Sequence, residues 1–368
     1  MDISLSEDVK SDVYRCFRCG YCRAVCPTFI VKENESWNAR GRLMLIQAAL
    51  ENKIVVNEDL KNRIYSCTLC RACELVCPAL VKVTKAILNF RESLIKTGYS
   101  PPRAYIKVIE NIKKTGNVFG VKSVKEQFEY KNCENIFFPG CVAYYMKPEL
   151  VNYGKHIFGY CNIEWCSSEG ICCGSPLYAL GMTEEFKEVA KKNLELFRKF
   201  DVKRIITLCP LCYKTLKYDY PKVLENFDFE VLHISQFLNL LIADGLLKPM
   251  KSVNLKVVYF DSCGLGRLSN IYDVPRDVLK AIPGLEVIEF KENREKALCC
   301  GGGFGLFIAY PELSSSLSKI IIRNALDLGA EVIASDCPTC QISLENSVRK
   351  TLSPICIANT VEIIAESI

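Results

Sequence analysis

The sequence has no apolar run long enough to cross a bilayer. Its best stretch, Phe237 to Leu247, is short and broken by Asn239, Asp244 and Gly245. It has no Lys/Arg block interleaved with aromatics, so a net charge of +5 does not point to nucleic acid. That mild, evenly spread excess suits small anionic substrates or an acidic partner surface. Neither a dinucleotide fingerprint nor a phosphate loop is present: Gly301-Gly302-Gly303-Phe304-Gly305 lacks the strand–turn–helix setting and the downstream acidic residue. No flavin site is evident either. The first residues, Met1 to Asp8, are acidic where a secretion signal would be basic and then apolar. The expected location is cytoplasmic, with membrane attachment only through a partner. Histidine is scarce as well. His156 and His233 are the two present, and neither adjoins a cysteine.

What the chain has instead is cysteine, 22 in 368 residues. Paired as disulfides, that number would suit a small secreted scaffold, which a chain of this length is not. The cysteines also follow a pattern. Cys263 is followed by the doublet Cys299-Cys300-Gly301 and then by Cys337-Pro338-Thr339-Cys340; earlier stand Cys141, Cys172-Cys173-Gly174 and Cys209-Pro210-Leu211-Cys212. Adjacent cysteines point in different directions, so a doublet has no evident packing advantage. Thiolates are soft ligands for iron–sulfur clusters, zinc or copper(I). Glycines after each doublet let the backbone pass close to a bulky object. Two five-cysteine sets therefore indicate metal or cluster binding. Cys133, Cys161, Cys166 and Cys356 fall outside them and read as small apolar fillers.

Near the amino terminus stands Cys16-x-x-Cys19-x-x-Cys22-x-x-x-Cys26-Pro27, repeated as Cys67-x-x-Cys70-x-x-Cys73-x-x-x-Cys77-Pro78. This is the run of two-cluster bacterial ferredoxins, in which the fourth cysteine ligates the other cluster. It assigns Cys16, Cys19, Cys22 and Cys77 to one 4Fe-4S cubane, and Cys67, Cys70, Cys73 and Cys26 to a second. Structural zinc sites account for four cysteines per site but not for the three-plus-one spacing with its proline. Between the runs, Arg42 to Leu50 and, after Asn57 as N-cap, Glu58 to Tyr65 have helical apolar spacing. The module looks like the helical ferredoxin domain of respiratory and reductase iron–sulfur subunits.

Helices are also expected at Val81–Ile95 and from Arg103 to Lys114, with a linker in Thr115–Tyr130. From Ile136 strands and helices alternate. Strands are predicted at Ile136–Phe138, Arg204–Leu208 and Glu230–Ile234, with a helix after Thr183 as N-cap. The pattern returns at Lys256–Ser262, Val287–Phe290, Glu331–Ala334 and Pro354–Ile357, offset by roughly 122 to 128 residues. Each strand end is expected to deliver a cysteine at a helix start, where backbone N–H groups favour negative charge. The fold class is α/β: an all-helical two-cluster ferredoxin domain (1–98), a linker (99–130), and two duplicated small α/β cysteine-rich domains (131–245 and 246–368). A pseudo-two-fold arrangement would turn their thiol nests toward each other.

On these residues the chain resembles the heterodisulfide reductase catalytic subunits in which the ferredoxin and catalytic modules are fused. The second copy of the motif fits the family spacing with 35 and 36 intervening residues, whereas the first, with 30 and 35, falls one short. The resemblance implies a noncubane [4Fe-4S] cluster on Cys141, Cys172, Cys173, Cys209 and Cys212, and another on Cys263, Cys299, Cys300, Cys337 and Cys340. A small disulfide would lie between them and be reduced to two thiols, one electron coming from each. The expected donor is a flavoprotein or a membrane cytochrome b subunit. Relatives often carry histidine after the lone cysteine of the second copy; here Gly264 stands there, which leaves proton delivery to another group. Similar motifs occur in iron–sulfur subunits of glycolate, lactate and glycerol-3-phosphate dehydrogenases, where the subunit relays electrons from a flavoprotein. That is the competing reading.

Overall fold

The computed structural model describes residues 3–122 and 133–368. Positions 123–130 of the expected linker lie outside the described residues.

The first hundred residues are helical because their apolar residues recur at helical spacing and their ends are capped. Glu58–Tyr65 shows the logic. The Asn57 side chain accepts the Leu60 N–H at 2.9 Å, Glu58 and Asp59 occupy the first turn, and Leu60, Ile64 and Tyr65 are buried. Helices Glu7–Tyr14, Ala39–Leu50 and Val83–Lys96 bury Val9, Val13, Leu43, Ile46, Ile87, Phe90 and Leu94 with it in one core. The cysteine runs occupy short helices and turns on the rim of this bundle.

The stretch read as linker carries packed structure. Helix Arg103–Thr115 buries Tyr105, Val108, Ile109 and Ile112 on one face and packs against helix Leu306–Ala309, far along the chain. Its residues continue the core of the helical region into that of the first α/β unit.

Two four-stranded parallel sheets follow. The first comprises β1 (Asn135–Phe138), β2 (Cys166–Ser167), β3 (Arg204–Thr207) and β4 (Glu230–His233), in the order β2-β1-β3-β4. The second comprises β5 (Lys256–Tyr259), β6 (Glu286–Glu289), β7 (Val332–Ala334) and β8 (Cys356–Ala358), in the order β6-β5-β7-β8. The topologies are the same, and the registers centre on Ile136 opposite Ile205 and Val257 opposite Val332. In each sheet the order reverses beside the first strand, and parallel sheets bind ligands outside the carboxyl ends at such a switch point. The repeat was visible in the sequence. Strand β2, only two residues long, was not.

The halves share a core. Phe137, Phe158, Ile206 and Phe237 of the first pack in one cluster with Val257, Tyr259, Val278 and Ile364 of the second. Helix Pro148–Tyr160 meets Thr360–Glu366, and Ile234–Ala243 meets Val274–Lys280. Exchanging the halves turns one contact into the other, as an approximate two-fold requires.

Several local expectations shift. Helix 183–199 starts with Thr183 itself, Met182 being its N-cap. After Cys263 the chain turns through Ser269 and forms no helix. Cys133 and Cys166 are joined as a disulfide that ties the entrance of β1 to β2, so they are not free apolar fillers. Cys356 is exposed, whereas Cys161 is buried as expected. No helix among the described residues is long and apolar enough to cross a membrane.

His233 is fully buried and structural. Its Nδ1 lies 2.9 Å from Ser235 Oγ, its Nε2 3.2 Å from the Leu208 carbonyl, and it caps the helix from Ile234. Burial lowers its pKa from 6.5 to about 4. The unfolded chain therefore takes up a proton that the folded chain refuses. The stabilisation is complete above pH 6.5 and is lost as pH falls toward 4, by at most roughly 3 kcal/mol. His233→Asn keeps a good capping residue and removes the titration. In thermal melts between pH 7 and 4.5 its loss of stability should be shallower than wild type; parallel curves would contradict this assignment.

Candidate iron–sulfur and disulfide site

The two ferredoxin-like runs come together in crossed fashion. One cavity on the rim of the bundle is lined by Cys16, Cys19, Cys22 and Cys77 and also by Cys73, which lines the second as well. A second is lined by Cys26, Cys67, Cys70 and Cys73. The fourth cysteine of each run lies in the partner cavity; after Cys26, Pro27 opens helix Pro27–Lys32 and turns the chain away. The cavities differ in exposure. Cys19, with Phe17 and Tyr21 beside it, faces solvent, whereas Cys26 and Cys70 are buried.

Buried guanidinium groups brace these loops. Arg42 donates to the Arg63 carbonyl at 2.6 Å, to Thr28 Oγ1 at 3.1 Å and to Ser66 Oγ at 3.0 Å, with Nη1 4.0 Å from Cys26 Sγ. Arg91 donates to the carbonyls of Ile64 and Cys67 in its own bundle and to Ala179 of the first α/β unit, at 2.7, 3.1 and 2.6 Å. Each arginine satisfies carbonyls that irregular loops would otherwise leave unpaired in the interior.

The ten remaining motif cysteines form two nests at the carboxyl ends of the sheets. In the first, hydrogen-bond contacts between thiols run from Cys141 through Cys172, Cys173 and Cys212 to Cys209. In the second they run from Cys263 through Cys299, Cys300 and Cys340 to Cys337, with Cys299–Cys263 at 3.9 Å and Cys300–Cys340 at 3.1 Å. Both nests are buried apart from Cys263, which is partly exposed.

Backbone N–H groups point at the doublet sulfurs: Gly174 to Cys172 at 3.3 Å, and Gly301 to Cys299 and Gly302 to Cys300 at 3.4 Å. These donors come from the turns after the doublets, whereas helix starts were the expected source. Gly140 is needed beside Cys141, since at φ +80° a Cβ there would stand 2.8 Å from Cys212 Sγ. Behind the first doublet, Asn193 donates to the Cys172 carbonyl at 3.0 Å and Tyr220 to that of Cys173 at 3.1 Å. In the second half, Arg276 forks onto Asp261 at 2.8 and 2.7 Å and onto Glu289 at 2.6 and 2.7 Å, joining the approaches to Cys263 and to the second doublet.

Sulfur chemistry fits this setting. Burial pushes the Cys22 thiol up to about 11 and raises those of Cys67 and Cys73, so as bare thiols they are poor nucleophiles. Metal binding deprotonates coordinating thiols outright. Grouped sulfurs, donated N–H groups and glycine-lined clearances together match what iron–sulfur clusters require. Among the described residues, no three His, Cys, Asp or Glu side chains converge as for a single metal ion.

The halves face each other across this chemistry. One apolar cavity is lined by all five cysteines of the first nest, and by Phe304, Phe307, Ile308 and Thr339 from the second half. A Cβ on Gly264 would lie 2.9 Å from Pro210 Cβ, within the Cys-x-x-Cys turn of the first half. That contact leaves little room for a side chain after Cys263, because the first half fills the space.

Comparison with known proteins agrees with this architecture. Residues 12–81 match the model of the 4Fe-4S dicluster domain, and residues 136–217 and 257–345 each match that of the cysteine-rich domain. The chain belongs to the class of iron–sulfur oxidoreductase subunits that join a 4Fe-4S dicluster domain to two cysteine-rich domains. Within that class it is a distant homologue of a subunit of the dihydromethanophenazine:CoB–CoM heterodisulfide reductase of Methanosarcina barkeri, with 27% identity over 96% of this chain and 93% of that one. It is also similar to the probable iron-sulfur-binding oxidoreductase FadF of Bacillus subtilis, 29% identical over 85% of this chain but 47% of the longer protein. Among solved structures, a hypothetical protein from Helicobacter pylori shares the fold, with a TM-score of 0.62 at 10% identity, over 99% of this chain and 73% of that one.

The Gly264 contact is testable. Overfilling a close-packed site costs typically about 1–3 kcal/mol. Gly264→His should lower the melting temperature clearly and Gly264→Ala by less; a histidine variant as stable as wild type would refute the contact.

Proposed function

We propose that this chain collects electrons one at a time at the two ferredoxin-like nests and uses them in pairs to reduce a small disulfide to two thiols. The observation that carries the proposal is the cavity shared by the halves, in which five cysteines of one face apolar residues of the other. In this reading Cys16, Cys19, Cys22 and Cys77 hold one cubane and Cys67, Cys70, Cys73 and Cys26 the other. Cys141, Cys172, Cys173, Cys209 and Cys212 hold one noncubane cluster, and Cys263, Cys299, Cys300, Cys337 and Cys340 the second. When bound, such clusters supply one-electron transfer and an iron site with affinity for sulfur.

The remaining work falls to the protein. Val108, Val118, Phe304, Phe307 and Ile308 line the cavity and would exclude water from a disulfide lodged there. Reducing one disulfide takes two electrons and two protons and yields two thiols. With glycine at position 264, and only cysteines able to titrate among the lining residues, the protons are drawn from solvent outside the cavity. The electron donor is a partner protein, a flavoprotein or a cytochrome b subunit, meeting the chain near the exposed rim of the first cavity.

A second reading, an electron relay serving a flavin-dependent dehydrogenase, is supported by the similarity to FadF and to the EtfAB:quinone oxidoreductase of Syntrophomonas wolfei, 28% identical over 92% of this chain. The two separate in one assay. Cluster-loaded protein given reduced viologen should consume small disulfides and release two thiols per disulfide. No thiol release, alongside rapid reduction by a flavoprotein dehydrogenase, would favour the relay.

A further inference from the structure

Arg267 lies four residues beyond Cys263 and is 8% exposed. Its Nε donates to the carbonyl of Cys70, in the second ferredoxin-like run, at 2.6 Å. Its Nη1 donates to the carbonyls of Glu295 and Ala297, just before the second doublet, at 3.1 and 2.5 Å. Its Nη2 is buried with no hydrogen-bond partner, and no carboxylate pairs with the guanidinium among the described ion pairs. The thiols beside it are those of Cys70, Cys263 and Cys299, and Cys70 and Cys299 themselves hydrogen-bond.

Such a charge is costly unless something nearby balances it. No carboxylate does so, which leaves the negative charge of metal-bound thiolates as the balance. The arginine is not part of the repeat: counting from the lone cysteine, its counterpart in the first half is Tyr145. It also joins two elements far apart in the sequence, the ferredoxin-like loop and the second cysteine-rich loop.

We infer that Arg267 is a positioning residue for the junction between the second ferredoxin-like nest and the second cysteine-rich nest. It clamps the Cys70 loop against the approach to Cys299, and its positive charge, balanced by no carboxylate, makes both nests easier to reduce. Added electrons raise the negative charge on each nest, and a fixed positive charge in a low-dielectric interior stabilises the reduced form. The first ferredoxin-like nest adjoins the second at Cys73, but none of its other cysteines is among the thiols beside Arg267, so it serves as an internal control.

This inference rests on the cluster assignment above, and the experiment separates the two. Reductive titration of the full chain followed by EPR gives a midpoint for each cluster. Wild-type protein without cluster signals would sink the assignment itself. With signals present, Arg267→Gln should move the midpoints of the Cys70 and Cys299 clusters to lower potential by about tenfold in the reduction equilibrium, about 59 mV for one electron. The Cys16 cluster should stay in place, and Arg267→Lys should restore most of the shift. Unchanged midpoints, or an equal shift at all clusters, would overturn the inference. If the variants lose iron, loss confined to those two nests supports the clamp, and uniform loss overturns it.

Discussion

Crowded sulfur is the constraint on which the rest of the molecule depends. Buried thiols ionise reluctantly, and each further thiolate placed beside another in a low-dielectric interior repels it. A protein that gathers five such groups at one sheet end, twice over, keeps most of them protonated unless a cationic core shares them. Backbone N–H groups of Gly174, Gly301 and Gly302 would supply part of the compensation for ionised sulfurs. They are too few to neutralise a nest. The burial of the cysteines and the chemistry of the site are thus two views of one fact.

The fold meets that constraint by geometry. Parallel strands end on the same side, and a reversal of strand order opens a crevice there. The chain places its lone cysteine, doublet and Cys-x-x-Cys pair after three strands around that crevice, and then repeats the device. Packing the repeats about an approximate two-fold sets the first nest against apolar residues of the second half, while no cysteine of the second nest lines that cavity. The second nest also meets the ferredoxin-like bundle through Cys70 and Cys299, and the first opens on the shared cavity. Duplication supplied two units of one topology, and their surroundings differ.

Much of this was legible in the amino-acid order because cysteine spacing and strand periodicity are local signals. The crossed grouping of Cys26 and Cys77, the repeated strand pattern and the capping role of Asn57 are short-range matters of chemistry and period. What escaped depends on pairs far apart in the chain. Arg267 finds Cys70, Gly264 touches Pro210, and Arg103–Thr115 packs on Leu306–Ala309; none of these residue types is unusual where it stands. The Cys133–Cys166 bond escaped for a similar reason, since β2 is too short to show a period. An arginine directly after Gly264-Leu265-Gly266, four residues past a ligand-type cysteine and with no counterpart in the repeat, was the one available hint.

The most direct check of the central claim is the iron and acid-labile sulfide content of the anaerobically purified chain. Four occupied nests predict about sixteen irons and as many sulfides per chain. A content near eight, with the ten nest cysteines reacting as free thiols, would contradict the account, as would zinc in place of iron.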